Sequence, residues 1–513
     1  MNLDEIKSPL PPRNFRMEVE KEETDTNPNP SSGINPSGAN PSPGTSEPVT
    51  TDKPETVPAA EPKKVFNFSK ILIPLGIVLG VGVILFLIFK VILPKITGKQ
   101  EIITINYSGM WEEKNVLDGI IADFEAKNPN IKINYTKQDK DNYRTILLSR
   151  LAKDEGPDIY RIHQTWLPNF LEYLAPVPAQ TAQTLELETD FFDVYKNDLK
   201  SGGNFVAIPL MYDGLSLYYN KDLITAAGVT LPKSWWDLKE AAKKLTVKDE
   251  TGKIKVAGVA MGLTDNVDHF SDIVGVLGKQ NGTDFFKNDQ TNNGSLLDAL
   301  KFYSQFGTGA DRVWDETMPN STSAFGSGKL AFYFAPSWRA FELNERYPNL
   351  KYEIIPVPQL QTLESQNRNE PIGEGSLTNI HWASYWVEGV NSKSKNQKEA
   401  WQFLEYLASK EGLEKMYLTA SQVRAFGEIY PRKSMAAKIS ENKLLKPFAT
   451  VANQAESWYL CSRTWDDKGI NDEMSQYFAD AINGMIKNSF DSEKLMVSLR
   501  NGIEQVRVKY QLK

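Results

Sequence analysis

Cysteine is almost absent from this 513-residue chain, which contains only Cys461. A single cysteine cannot form an intrachain disulfide, and it cannot supply a cysteine-rich zinc site. No cysteine stands near the chain's long apolar run, so the sequence predicts no lipid anchor of the lipoprotein type. A core of several hundred residues needs no disulfide, and the cysteine count is therefore compatible with either side of a membrane.

A basic excess is also missing, because the formal net charge is −7. This charge argues against nucleic-acid binding. The histidines His163, His269 and His381 lie far apart and lack the HxxxH or HExxH spacing of a zinc site. GxSxG and P-loop patterns are absent as well. We therefore expect no catalytic residue, no metal and no cofactor.

Long apolar runs are confined to residues 71–89, nineteen consecutive residues without a charge. As a helix, such a run covers roughly 28 Å, close to the hydrocarbon thickness of a bilayer. Its three glycines and one proline are unfavourable in a buried core helix, the alternative interpretation, but common in membrane helices. We predict a transmembrane helix over residues 70–94. Three lysines on each side leave its orientation undecided.

Two different kinds of sequence flank this run. Residues 1–69 are rich in Pro, Asn and Ser and show no periodic apolar face, so they cannot bury enough surface to offset their ordering entropy. We predict that they form a disordered tail. Residues 101–513 number 413, whereas single domains usually have about 50–250 residues. Two lobes are therefore expected in this part.

Strand-like and helix-like segments alternate at the start of the globular part. The alternation predicts a strand, a helix, a strand, a helix and a strand over Ile102–Tyr107, Trp111–Lys127, Ile131–Tyr135, Tyr143–Ala152 and Asp158–Ile162. A β-α-β-α-β order predicts a parallel sheet with right-handed crossovers. Ligands of such folds bind beyond the carboxyl ends of the strands.

Two later stretches, GPDIYRIHQTWLPNFLEYLAPV (156–177) and AIPLMYDGLSLYYNKDLITAAGV (207–229), resemble the extracellular solute-binding proteins of ABC importers. The resemblance is to the sugar-binding group that includes maltose-binding protein. Three further blocks follow in the family's order, namely 235–245 (WWDLKEAAKKL), 324–338 (AFGSGKLAFYFAPSW) and 385–407, which contains VNSKSKNQKEAWQFLEYL. The transmembrane anchor and the tail depart from the family's usual N-terminus.

The resemblance implies a periplasmic-binding-protein-like fold, in which hinge strands join two α/β lobes. Carried onto this chain, the first lobe would be about 101–211 with 385–440, and the second about 212–380 with 441–513. Residues 208–220 (IPLMYDGLSLYYN) are strand formers interrupted by Pro and Gly, which suits a hinge strand.

A sugar offers hydroxyls around an apolar C–H face, so its site needs aromatic faces together with carboxylates, amides or arginines. The resemblance implies that Trp338 stacks on sugar, that Asp213 is an acidic contact, and that Trp166 lies in a ligand-binding loop. Packing within a lobe or a hinge ion pair is the alternative for each. For the other candidates, a structural role explains the residue at least as well as ligand binding does. These candidates are Trp111, Tyr212, His163, Tyr385, Trp386, Arg463, Trp465 and Glu374.

The sequence thus predicts a membrane-anchored, extracytoplasmic receptor of a bacterial ABC importer, with its N-terminus in the cytoplasm. It would bind a carbohydrate, in particular an oligosaccharide, between its lobes and deliver it to the permease by hinge closure. The expected partners are the carbohydrate, the permease subunits and, through residues 71–89, the membrane, with the protein itself a monomer. The alternatives are a carbohydrate-binding adhesin or sensor ectodomain and, less favoured, a glycoside-active enzyme, for which no carboxylate pair is recognisable.

Overall fold

Two five-stranded sheets organise the computed structural model of the protein, which describes residues 101–361, 376–487 and 491–512. All described residues fall within one unit, Thr97–Lys513. The strands are β1 (Ile103–Gly109), β2 (Ile131–Lys137), β3 (Ile159–His163), β4 (Lys200–Ser201), β5 (Asn204–Phe205), β6 (Ile208–Pro209), β7 (Ser216–Asn220), β8 (Val247–Lys248), β9 (Ile254–Val259), β10 (Leu330–Ala335), β11 (Tyr352–Pro356), β12 (His381–Trp382), β13 (Trp386–Val390) and β14 (Ala455–Glu456).

Helices surround both sheets. They are α1 (Lys114–Lys127), α2 (Tyr143–Ala152), α3 (Leu167–Phe170), α4 (Ala179–Thr184), α5 (Asp193–Asp198), α6 (Lys221–Ala227), α7 (Trp235–Leu245), α8 (Phe270–Gln280), α9 (Gln290–Ser304), α10 (Ser321–Gly326), α11 (Arg339–Arg346), α12 (Gln397–Leu407), α13 (Lys410–Ala420), α14 (Lys446–Ala449), α15 (Ile470–Ile486) and α16 (Ser492–Tyr510). Short 3₁₀ segments are Gln164–Trp166, Leu171–Tyr173, Lys433–Ile439 and Ala452–Gln454.

The first lobe is built on the sheet with strand order β2-β1-β3-β13-β6. As the β-α-β-α-β pattern predicts, β1 pairs in parallel with β2 and β3. The late strand β13 inserts antiparallel between β3 and β6. Helix α2 has the predicted bounds, but α1 begins at Lys114 rather than Trp111, because Glu113 has an extended backbone with ψ of 151°. Trp111 therefore lies in the loop that follows β1.

The second lobe is built on the sheet with strand order β11-β7-β10-β9-β8. Strands β9 and β10 are parallel, and β7 is antiparallel to both β10 and β11. Helix α7 starts with a capping box, in which Ser234 and Asp237 exchange side-chain and backbone hydrogen bonds. The C-terminal helices α15 and α16 pack against each other and against α9.

Three chain segments meet where the lobes join. The N–H of Leu215 donates to the carbonyl of Trp382 (3.0 Å), that of Ser384 to the carbonyl of Asp213 (3.0 Å), and that of Ala383 to the carbonyl of Glu456 (2.9 Å). Gly214 is required here, because a Cβ at this position would lie 2.1 Å from the carbonyl oxygen of Trp382. Residues 213–215 of the predicted hinge strand therefore pair with residues 382–384, which also contact Glu456.

A buried ion cluster ties three parts of the first lobe together. Arg161 on β3 donates from Nε to Glu388 Oε1 on β13 (2.5 Å) and from Nη1 to Glu112, which follows β1. The Tyr107 hydroxyl also donates to Glu388 Oε1 (2.9 Å). Arg161 and Glu388 are fully buried, and Glu112 is 3% exposed. Such charges are tolerated inside a protein only as hydrogen-bonded pairs.

The predicted transmembrane helix over 70–94 and the predicted tail over 1–69 lie outside the described residues. Within the part of the chain that is described, none of the helices combines the length and apolar character needed to cross a bilayer.

Removal of the central cation of the cluster provides a stability test. Arg161→Ala leaves two buried carboxylates without their partner, so we expect the free energy of unfolding to fall by about 3–5 kcal/mol. Lys132→Ala is the control, because it breaks the exposed pair between Lys132 Nζ and Glu125 Oε2 (2.7 Å) and should cost less than about 1 kcal/mol. Urea denaturation measures both, and equal losses would contradict the structural role of the cluster.

Candidate functional site

A cavity of about 370 Å³ lies between the two lobes and is lined by residues of both. Its volume falls in the range of about 300–1,000 Å³ that is usual for small-molecule sites. The carboxyl ends of β1 and β3 open onto it, as expected for a parallel α/β sheet. The predicted contribution from the end of β2 is not found, because Gln138 and Asp139 do not line the cavity.

Three rings at strand ends form the first-lobe side of the cavity. Trp111 follows β1, His163 ends β3, and Trp386 begins β13, where it pairs with His163 across the strands. The ring centroids of Trp111 and Trp386 are 5.3 Å apart, and those of Trp111 and Trp465 are 5.0 Å apart. Trp111, Trp386 and Trp465 together are called the aromatic wall.

Helix α11 and the turn before it form the second-lobe side. Trp338 follows β10 and begins a series of cavity-lining residues, which continues with Phe341, Glu342, Glu345 and Arg346 along one helical face. The guanidinium of Arg339 stacks on one face of the Trp338 indole, 4.5 Å from the ring centroid. Arg339 thus fixes the orientation of this indole at the cavity edge.

Asp213 lines the cavity, and its carboxylate accepts hydrogen bonds from the turn before α11. Its Oδ1 accepts from the N–H groups of Gly214 (2.7 Å) and Ser337 (3.0 Å), and its Oδ2 accepts from the Ser337 hydroxyl (2.9 Å). Burial raises the pKa of Asp213 to about 7, although these hydrogen bonds oppose the shift. The Asp213 carboxyl is therefore only partly ionised near pH 7.

Both cavity histidines are neutral at pH 7. Burial lowers the pKa of His163 to about 3, and its ring nitrogens contact the hydroxyls of Thr165 (2.7 Å) and Ser384 (3.1 Å). Burial also lowers the pKa of His269, whose Nε2 accepts from Arg339 Nε (3.3 Å). Its Nδ1 therefore carries the proton and contacts the Ser462 hydroxyl (2.6 Å).

Residues 457–469, called here the crossing segment, contact both lobes along the cavity. On the first lobe, Asp466 Oδ1 pairs with Arg144 Nε (2.6 Å). On the second lobe, Arg463 pairs with Asp268. Three residues of this short segment have positive φ, namely Arg463 (56°), Trp465 (51°) and Lys468 (55°). Non-glycine residues adopt this conformation at an energetic cost, which is typical of ligand-binding segments.

Seven of the residues suggested by the sequence lie on the cavity wall, and they are Trp338, Asp213, Trp111, Trp386, His163, Arg463 and Trp465. Arg463 also has a structural contact, because it pairs with Asp268 of the second lobe. Glu374 lies outside the described residues.

Three other candidates do not line the cavity, and we assign them to packing inside the protein. Trp166 is fully buried beneath the wall, with its ring 5.1 Å from Trp386. Tyr385 is also fully buried and donates its hydroxyl to Asp198 Oδ2 (2.6 Å). Tyr212 is 1% exposed and packs edge-on against Phe192. Each ring is held inside the lobe by neighbours that were not apparent from the sequence.

Sequence reasoning missed several cavity residues. The α11 residues Phe341, Glu342, Glu345 and Arg346 carried a usable signal, since they follow Trp338 at helical spacing. No comparable pattern marked the rest of the missed set, which includes His269, Asp272, Arg424, Glu428 and Ser462. Among the described residues, no group of His, Cys, Asp or Glu is arranged to hold a metal ion.

Comparison with known sequences gives a consistent result. The family model of the bacterial extracellular solute-binding proteins matches residues 111–414. The chain is 22% identical over 382 residues to the multiple sugar-binding protein of Streptococcus mutans, and the match covers 72% of this chain and 84% of that protein. It is 25% identical over 316 residues to the maltodextrin-binding protein MdxE of Bacillus subtilis, with 58% and 70% covered.

Solved structures agree on the fold. The sugar-binding protein MalE of Xanthomonas citri superposes with a TM-score of 0.63 at 18% identity, covering 80% of this chain and 98% of MalE. A cyclo/maltodextrin-binding protein in complex with maltotetraose gives 0.60 at 15% identity, covering 79% and 97%. These similarities confirm the two-lobed α/β fold. The family model and the sequence relatives are those of solute-binding and sugar-binding proteins, which supports a binding protein rather than a glycoside-active enzyme.

The buried Asp213 predicts a specific pH dependence of stability. The carboxyl pKa is about 7 in the folded protein and about 3.9 in an unfolded chain. Between these values the folded protein keeps a proton that the unfolded chain has lost, so this stabilisation is present below about pH 4 and is lost as the pH rises towards 7. We expect the melting temperature of Asp213→Asn, which cannot ionise, to rise relative to the unmodified protein over that range.

Thermal unfolding at several pH values between about 4 and 8 measures this difference. The exposed Asp298→Asn on α9 is the control, because it removes the same formal charge from the surface. A difference for Asp213→Asn that does not change with pH would contradict the proposed titration.

Proposed function

Because the chain belongs to the bacterial extracellular solute-binding proteins, we propose that it is the carbohydrate receptor of an ABC importer and holds its ligand in the interlobe cavity. One observation carries this proposal. Indole rings from the first lobe, the second lobe and the crossing segment converge on a single cavity that also contains carboxylate, guanidinium and hydroxyl groups.

The chemistry of the cavity suits a sugar. Indole faces can stack on the C–H face of a pyranose, while carboxylates and arginines can hydrogen-bond to its hydroxyls. The sugar-binding and maltodextrin-binding relatives support this choice of ligand class over other polar solutes. A cavity of this volume favours a short oligosaccharide over a long one.

Ligand binding would couple to closure of the lobes. Trp338 belongs to the second lobe and Trp111 and Trp386 to the first, so a sugar stacked on both sides would stabilise the closed state. Direct contacts already join the lobes at the cavity edge, where the rings of Phe341 and Phe426 lie 4.5 Å apart. A few kcal/mol of differential affinity suffice to shift the open–closed equilibrium. The closed form would then deliver the sugar to the permease.

The lobe boundaries and the membrane anchor are part of this proposal. The first lobe comprises about 101–211 with 385–440, and the second about 212–380 with 441–513. Residues 70–94 form a transmembrane helix that replaces a lipid anchor and keeps the receptor close to its permease. Residues 1–69 are cytoplasmic, because a solute receptor is useful only outside the cell and long domains translocate largely regardless of flanking charge.

Trp338 provides the direct test of sugar stacking. We expect Trp338→Ala to weaken binding of the best oligosaccharide by more than tenfold, about 1.4 kcal/mol, because the variant removes the second-lobe stacking face. Titration calorimetry of the full-length protein in detergent measures the affinity. Trp236→Ala is the matched control, since this α7 tryptophan is 51% exposed and lies outside the cavity. Unchanged affinity in Trp338→Ala would contradict the assignment.

Protease shaving of intact cells tests the anchor and its orientation. External protease should release or degrade fragments from 101–513 and should spare an epitope placed in residues 1–69. Lysed cells are the control, because there both parts should be accessible. Protection of the 101–513 domain in intact cells would overturn the orientation.

A further inference from the structure

The charges around the cavity are unbalanced. Among the described residues, five carboxylate side chains and three guanidinium side chains line it. The carboxylates are Asp213, Asp272, Glu342, Glu345 and Glu428, and the guanidiniums are Arg346, Arg424 and Arg463. His163 and His269 add no positive charge, because burial keeps both in the neutral form. Asp213 is only partly ionised near pH 7, but the other four carboxylates still outnumber the three guanidiniums.

The three arginines already have carboxylate partners. Arg424 Nη2 donates to Glu428 Oε1 (2.5 Å), and its guanidinium also lies over the Phe341 ring at 5.1 Å. Arg346 Nη1 lies 3.1 Å from Glu342 Oε1. Arg463 pairs with Asp268. Arg424 is thus held between Glu428 and Phe341, whereas the side chains of Arg346 and Arg463 are 68% and 48% exposed and their ion pairs are weaker.

Recruiting an arginine to an anionic ligand would have a cost. Asp268 is 2% exposed as a side chain, and Arg463 and Arg339 are its two cationic partners. Arg339 is also shared with Glu342. Drawing Arg463 away would leave a buried carboxylate with less compensation, which is unfavourable in a low-dielectric site.

The remaining carboxylates have no cationic arginine or lysine partner among the described residues. Asp213 accepts only from backbone N–H groups and the Ser337 hydroxyl. Asp272 Oδ2 accepts from the N–H of Ser462 (3.0 Å) and lies 3.8 Å from His269 Nδ1, which is neutral. The side chain of Glu345 is exposed at the cavity edge.

Aromatic rings beside uncompensated carboxylates form a site for cations. Indole faces attract an ammonium group through the ring quadrupole, and nearby carboxylates add direct Coulomb attraction. The same groups repel a ligand carboxylate or phosphate. Neutral hydroxyls are tolerated, since both carboxylates and paired arginines can hydrogen-bond to them.

We propose that this cavity, as the sugar site of the proposed function, selects ligands by charge: it binds amine-bearing sugars most tightly, accepts neutral sugars, and rejects uronic acids and sugar phosphates. The excess of carboxylates on the wall and the occupied arginines produce this order. The inference concerns the class of sugar and depends on the proposed function only in that a sugar occupies the cavity.

A binding screen with three matched sets of oligosaccharides tests the proposal. Glucosamine, glucose and glucuronic acid oligomers of equal length and linkage are titrated near pH 7 against the full-length protein in detergent, with melting temperature and calorimetry as readouts. The expected result is that each uronic acid oligomer binds at least tenfold more weakly than its neutral counterpart, and that the amine-bearing oligomer binds most tightly. A uronic acid oligomer that binds as tightly as the neutral one would overturn the proposal while leaving the carbohydrate function intact. Failure of every sugar to bind would instead overturn the proposed function itself.

Salt and a charge-neutral variant identify the source of the selectivity. Raising NaCl from about 20 to about 500 mM should reduce the amine-over-neutral preference, because screening weakens the attraction. Glu345→Gln should reduce this preference by about twofold or more, whereas Glu250→Gln, on an exposed turn of the same lobe away from the cavity, should not change it. A preference that survives both changes would show that the carboxylates do not set it.

Discussion

The first lobe depends on one buried ion cluster, in which Arg161 holds Glu112 and Glu388. Each member of the cluster stands one or two positions from a ring of the cavity, and these rings are Trp111, His163 and Trp386. In a strand, residues two positions apart lie on the same face. The ion pair between Arg161 and Glu388 therefore also holds the neighbouring rings of His163 and Trp386 in place. The register of β3 with β13 is thereby specified by a cross-strand ion pair and a cross-strand ring pair. The cluster supports the geometry of the aromatic wall more than it contributes net stability.

Carboxylates organise the second side in a comparable way. Asp213 accepts a hydrogen bond from the turn that carries Trp338. Asp268 pairs with Arg339, next to that indole, and with Arg463 of the crossing segment. Polar groups that are fully hydrogen-bonded in a low-dielectric environment hold their neighbours rigidly. The stacking surfaces of both lobes are thus held by buried ionic or carboxylate hydrogen bonds, and apolar packing supplies the remaining support. Two halves held in this way would move as rigid bodies in the proposed ligand-driven closure.

Most of the local structure could be predicted from the sequence, but only part of the candidate site could. The alternation of strand-like and helix-like segments located α2 at its observed bounds, and the family resemblance pointed to Trp338, which lines the cavity. The neighbours Tyr385 and Trp386 show the limit, because one packs inside the lobe and the other lines the cavity, and only the strand register decides which. Pairs such as Arg463 with Asp268, separated by 195 residues, leave no local pattern. Contacts at that separation depend on tertiary packing, which propensity and spacing do not encode.

The late position of the crossing segment in the chain has a consequence for the order of assembly. Strand β13 must enter between β3 and β6 before the first sheet is complete, and the cavity still lacks part of its wall until residues 457–469 have been laid down. A chain that is synthesised from its N-terminus therefore makes Trp111 long before the residues that complete the cavity around it. A chain interrupted shortly before Ser462 would contain every strand of both five-stranded sheets but would lack the part of the cavity lining that the crossing segment supplies.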